Sequence, residues 1–120
     1  MTLAVAGSTG VLGGMVARAL RTRGLNPRLV VRDPARAPQW SSADVAVAAY
    51  EDVEAMARAL DGVETFLMVS GHEDPDRIAL HRRVVEAAQR AGVGRIVYTS
   101  FMGAAPQATF PYARDHSLTE

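Results

Sequence analysis

Short apolar runs alternate with amphipathic stretches along the whole chain. Thr2 to Ala6 is the first apolar run and reads as a short buried strand. A glycine-spaced loop follows. From Leu12 the apolar positions Leu12, Met15, Val16, Ala19 and Leu20 keep helical spacing, with Arg18, Arg21 and Thr22 on the other side and Gly24 as the C-cap. Leu29 to Val31 is a second strand, with Arg32 at its end. Asp33-Pro34 opens a helix that Pro38 keeps short. Asp44 to Ala49 is a weaker, alanine-rich strand. Asp52 caps a helix with a buried stripe of Val53, Met56, Ala57 and Leu60, ended by Gly62. Thr65 to Val69 is a clear strand, and Ser70 to Asp76 a polar turn. A longer helix then buries Ile78, His81, Val84, Val85 and Ala88 and ends at Gly92. Ile96 begins the fifth strand. Phe101 onward is loop-like, and a last helix begins near Asp115.

Strands that alternate with helices in this way imply right-handed β-α-β crossovers. The expected fold class is α/β: a Rossmann-like doubly wound parallel sheet in the order 3-2-1-4-5, with helices on both faces. Ligand is then expected at the carboxyl ends of the strands, near the switch between strands one and four. The sequence holds no internal linker, low-complexity tract or solenoid repeat, so residues 1–120 are expected to form one domain.

The loop carries the candidate chemistry. Gly7, Gly10 and Gly13 are spaced G-x-x-G-x-x-G, directly after the first strand and at the opening of a helix. That context is the one a dinucleotide-binding loop requires. A helix start offers unpaired N–H groups and a positive dipole end to a pyrophosphate. Gly7 allows the sharp turn, Gly10 a close approach of backbone to phosphate, and Gly13 with Gly14 close packing of helix on sheet. Ser8 and Thr9 add hydroxyls. The plainer alternative is that the glycines serve only a tight turn.

Arg32 bears on which nucleotide binds. An acid at the end of strand two holds a ribose hydroxyl; an arginine there pairs with a 2′-phosphate. Asp33 is the rival acid, but Pro34 gives it a sufficient capping role. NADP(H) is therefore favoured over NAD(H), and the same arginine disfavours a methyltransferase. Arg36 reads as a solvated surface residue.

Composition removes several alternatives. The 120 residues hold no cysteine, which excludes disulfides, thiolate zinc sites and cysteine nucleophiles. All 13 basic residues are arginine, which excludes a Walker-type phosphate loop, Schiff-base chemistry and a tyrosine–lysine catalytic pair within these residues. Formal net charge is zero, so nothing drives the chain toward nucleic acid or an anionic membrane. No apolar run reaches membrane-spanning length and no signal-type segment opens the chain, so a cytoplasmic location is expected.

Ser70 and Gly71 end strand four, where a loop runs beside the ribose and nicotinamide; an ordinary turn explains them equally well. His72 reads as a solvated loop histidine and His81 as a packed structural one. Glu73, Asp74 and Asp76 do not form a metal pattern, and no metal is expected. Trp40 either anchors a loop or covers an adenine edge. The candidate cofactor-binding set is Gly7, Ser8, Thr9, Gly10, Val11, Leu12, Gly13, Arg32, Val69, Ser70 and Gly71.

Five segments occur together in order: Ala6 to Gly13, Val31 to Pro34, Ala59 to Val63, Ala87 to Val93, and Ile96 to Ser100. With Asp115 to Glu120 they resemble the NmrA-like branch of the atypical short-chain dehydrogenase/reductases, within it the type 2 quinone oxidoreductase and triphenylmethane reductase group. The resemblance spans the chain. It implies an NADPH-binding Rossmann domain that passes hydride to a quinone-like small-molecule acceptor, without a tyrosine–lysine pair. Catalysis then rests mainly on holding the nicotinamide against a flat acceptor. Tyr112 and His116 are weak candidates for a proton donor; loop packing and helix capping are the favoured readings of the two. An acid that contacts adenine in the family is replaced by Ala49, with Asp52 as a substitute. Family chains run longer, so this chain is expected to be the N-terminal part of one, with an exposed strand-five edge that invites pairing, a homodimer included. The alternative function from another class is a non-catalytic NAD(P)-binding redox-sensing regulator of the NmrA type.

Overall fold

The computed structural model describes residues 2–8, 10–37, 43–69, 77–99 and 118–119. Five parallel strands form one sheet: β1 (Leu3–Ala6), β2 (Arg28–Val31), β3 (Asp44–Val47), β4 (Thr65–Met68) and β5 (Arg95–Tyr98). Their order is β3-β2-β1-β4-β5, as the alternating pattern predicts. Among the described residues three helices connect them: α1 (Val11–Thr22), α2 (Val53–Ala59) and α3 (Arg77–Ala91), with a 3₁₀ turn at Pro34–Arg36. All strands run the same way, so their carboxyl ends lie along one rim. Ala6 pairs across to Val30, and Met68 to Tyr98.

The sheet alternates its side chains between two cores. Ala4, Ala6, Val30, Phe66 and Met68 meet Met56, Ala59 and Leu60 from the α2 region and Val84, Ala87 and Ala88 from α3. On the opposite face, Leu29 and Val31 meet Ala17 of α1 and Ala37.

Local chemistry sets the helix ends. Asp33 accepts from the Ala35 amide at 3.0 Å, and Asp52 accepts from the Ala55 amide at 3.0 Å. Both acids thus cap the elements they precede. At the far end of α1, Gly24 adopts φ +83°. Its amide reaches the Arg21 carbonyl at 2.9 Å, and the Leu25 amide reaches Leu20 at 3.0 Å, closing a Schellman motif. Arg28 ties three elements together. Its Nε lies 3.1 Å from Asp44 Oδ2, and its Nη1 donates to the carbonyls of Ala59 and Asp61 at 2.9 and 2.7 Å, satisfying the end of α2.

Two helix faces depart from the expected pattern. In α1 the buried residues are Gly13, Gly14 and Ala17, while Leu12 and Met15 are 49% and 60% exposed. Ala19 is also exposed. The helix lies so close to the strand ends that its small residues take the buried face, and Leu12 and Met15 are turned outward while Val16 and Leu20 are half-buried. In α3, Val85 is exposed and Ala87 takes the buried place.

Candidate functional site

The first strand delivers the chain into a turn that only glycine accommodates. Gly7 has φ +72°, a left-handed conformation that disfavours any side chain. A Cβ there would also lie 3.1 Å from Cβ of Val69, which follows β4. The Gly10 amide donates to the Gly7 carbonyl at 2.9 Å and closes the loop. Gly10 then serves as the N-cap of α1 with an extended backbone and no side-chain capping bond. The first turn of α1 holds no acid. Helix geometry leaves its leading amides without intrahelical acceptors. Gly13 is the contact between helix and loop: a Cβ on it would collide with the Gly7 carbonyl group and lie 3.0 Å from the Ala6 carbonyl oxygen.

Ser8 adds an independent feature. It is 3% exposed, and its Oγ finds no hydrogen-bond partner among the described residues. Unpaired buried hydroxyls are costly and rare, and a ligand oxygen is one way to satisfy them. Helix amides, an uncapped N-terminus and an orphaned hydroxyl together suit an anionic group such as pyrophosphate. The residues at this loop therefore fit the phosphates of a dinucleotide. Val11 and Leu12 sit at the solvent side of the same helix start, 83% and 49% exposed.

A second part of the rim lies at the ends of β2 and β3. Arg32 immediately follows β2, and its Nη2 lies 3.4 Å from Oε2 of Glu51. Both side chains are exposed, at 69% and 49%. Asp33, read as a capping acid, and Asp52, the substitute for the missing adenine acid, each give one oxygen to a helix cap. Ala49 lies in the same turn, its carbonyl accepting from the Asp52 amide at 3.1 Å.

The third part is aromatic. Tyr50 Oη donates to the Val69 carbonyl at 2.7 Å, so the turn after β3 is bolted to the end of β4. Burial, with a smaller push from Tyr98, drives the Tyr50 phenol well above its ordinary pKa of 10.0. His81 is buried between the rings of Tyr50 and Tyr98, edge to face, at centroid distances of 6.4 and 5.7 Å. Its Nδ1 lies 2.9 Å from Thr119 Oγ1. The histidine is the packed residue its place on the helical stripe implied. Tyr50 and Glu51 carried no signal in the sequence, because neither belongs to a periodic run or motif.

Gly7, Ser8, Gly10, Gly13 and Val69 converge at the ends of β1 and β4, with Val11 and Leu12 beside them and Arg32 at the end of β2, the strand next to β1. Thr9, Ser70, Gly71, Tyr112 and His116 lie outside the described residues, as do Trp40, His72 and the acids of that turn. Among the described residues no cluster of three histidine or acidic side chains could hold a metal ion, and no helix is long and apolar enough to cross a membrane.

A parallel sheet with this glycine loop at its switch point defines a dinucleotide-binding class. A family model described as NAD(P)H-binding matches residues 7–119, and the chain belongs to that family. It is 39% identical to quinone oxidoreductase 2 of Escherichia coli over 98% of this chain and 42% of that protein. The solved structure of the NADPH-dependent E. coli quinone oxidoreductase with NADPH superposes at a TM-score of 0.88, with 35% identity over 98% of this chain and 43% of the other. Triphenylmethane reductase from Citrobacter sp. also superposes at 0.88, with 30% identity over 99% and 43%. The chain thus spans less than half the length of these relatives.

Proposed function

We propose that the chain is the cofactor-binding half of an NADPH-dependent oxidoreductase that delivers hydride to a quinone-like acceptor. The observation that carries this reading is the loop itself: Gly13 seated against the Gly7 carbonyl, beside a buried Ser8 hydroxyl that lacks a partner. Bound there, NADPH supplies the hydride from its nicotinamide. The chain's own residues hold the pyrophosphate through the amides that open α1 and through Ser8. Arg32 takes the 2′-phosphate at the other end. Val69, beside Gly7, would wall one side of the crevice. The names of the relatives support the acceptor class, since one reduces quinones and another triphenylmethane dyes.

The test is a fluorescence titration with NADPH and NADH. Arg32→Ala is expected to weaken NADPH by roughly 10- to 100-fold, the loss of charge-assisted hydrogen bonds, and to leave NADH within about twofold. A uniform loss would remove Arg32 from the 2′-phosphate role. Single-turnover oxidation of NADPH by a simple quinone, in the full polypeptide that carries this chain, tests the reaction. Tight binding without oxidation across an acceptor panel would favour the redox-sensing regulator.

A further inference from the structure

We propose that Glu51 is a specificity-determining residue that restrains this site's preference for a 2′-phosphorylated dinucleotide. The proposal rests on the reading of the rim as an adenosine subsite, and it adds a residue which that reading does not use. Glu51 is the acid that faces Arg32, Oε2 to Nη2 at 3.4 Å. Its neighbours hold it there. Tyr50 on one side is fixed by its hydroxyl to the Val69 carbonyl at 2.7 Å. Asp52 on the other caps α2 through Ala55. Glu51 is therefore flanked by two anchored residues, while its own exposed carboxylate faces Arg32. The contact is a single long one between exposed groups, the kind a stronger anion readily displaces.

A 2′-phosphate entering this rim competes with the Glu51 carboxylate for the same guanidinium. After displacement, a negative carboxylate remains beside a negative phosphate. Both effects oppose NADPH. Neither acts against NADH, whose ribose 2′-hydroxyl can instead donate to a carboxylate. Arginine from the end of β2 and glutamate from the turn after β3 thus give one subsite two complementary partners. A site with Arg32 alone would discriminate more sharply.

The experiment compares the wild-type chain with Glu51→Gln, which keeps the shape and removes the charge at an exposed position. NADPH and NADH are titrated by fluorescence at low and high salt. The variant is expected to bind NADPH about two- to fivefold more tightly, the range of an exposed ion pair. NADH binding stays equal or weakens. The gain shrinks at high salt because the charges are solvent-exposed. An unchanged ratio of the two affinities in the variant, with wild-type binding intact, overturns this proposal alone. Absence of binding of either dinucleotide to the wild-type chain overturns the cofactor reading and this proposal with it.

Discussion

Gly13 has the strictest environment of the described glycines. The atoms a methyl group would meet are the backbone of Gly7 and Ala6, which cannot turn aside as a flexible side chain could. Gly13→Ala must either lift α1 from the sheet or distort the loop. The expected cost is roughly 1–3 kcal/mol, comparable to overpacking in a core, read as a lowered urea midpoint together with weaker dinucleotide binding. A similar loss of stability with unaltered binding would separate the helix contact from the site. The three acids near the rim show how far residue types alone could be read. Asp33 followed by Pro34, and Asp52 before a helical stripe, announced caps, and both cap. Glu51 announced nothing, because its partner Arg32 is 19 positions away and only the sheet brings the two together.

At the level of elements, the strands and their order were legible because apolar runs and helical spacing alternate so regularly. The buried face of α1 was not. A search for bulky apolar periodicity passes over glycine, yet Gly13, Gly14 and Ala17 are what the helix buries. Close approach replaced bulk as the source of contact. The link between β3 and β4 was equally hidden, since it runs through the Tyr50 hydroxyl. Tyr50→Phe leaves the Val69 carbonyl without that donor, and about 1–2 kcal/mol of stability is expected to go with it at neutral pH. The raised phenol pKa gives a second readout. Below pH 10.0 the phenol is neutral in both folded and unfolded chains. Above that, the unfolded chain ionises first, so stability falls as pH rises until the folded phenol ionises too. Urea denaturation at about pH 8 and about pH 10.5 should show a smaller alkaline loss in Tyr50→Phe than in the wild-type chain.

Across the whole molecule, binding and folding draw on the same few contacts. A ligand that joins the α1 amides to the ends of β1, β2 and β4 stabilises the native state by mass action, about 2.7 kcal/mol at a hundredfold excess over Kd. For a chain of this size that corresponds to a rise in Tm of roughly 8–12 °C. Differential scanning fluorimetry with NADPH measures it directly; no shift at saturating NADPH would argue against the loop as a binding site. The apolar side chains left at the surface, among them Met15 on α1 and Val97 on β5, are 60% and 47% exposed.

The seating of Gly13 on the Gly7 carbonyl also divides the molecule by how freely it can change. The proposed phosphate end of the crevice is mostly main chain, with the Ser8 hydroxyl beside it, so altering it alters the fold. The proposed adenosine end, Arg32 and Glu51, consists of two solvent-facing side chains whose replacement disturbs no core. Descendants of this scaffold could therefore exchange one coenzyme for another by single substitutions at the rim, while the cradle that grips what both coenzymes share stays as it is.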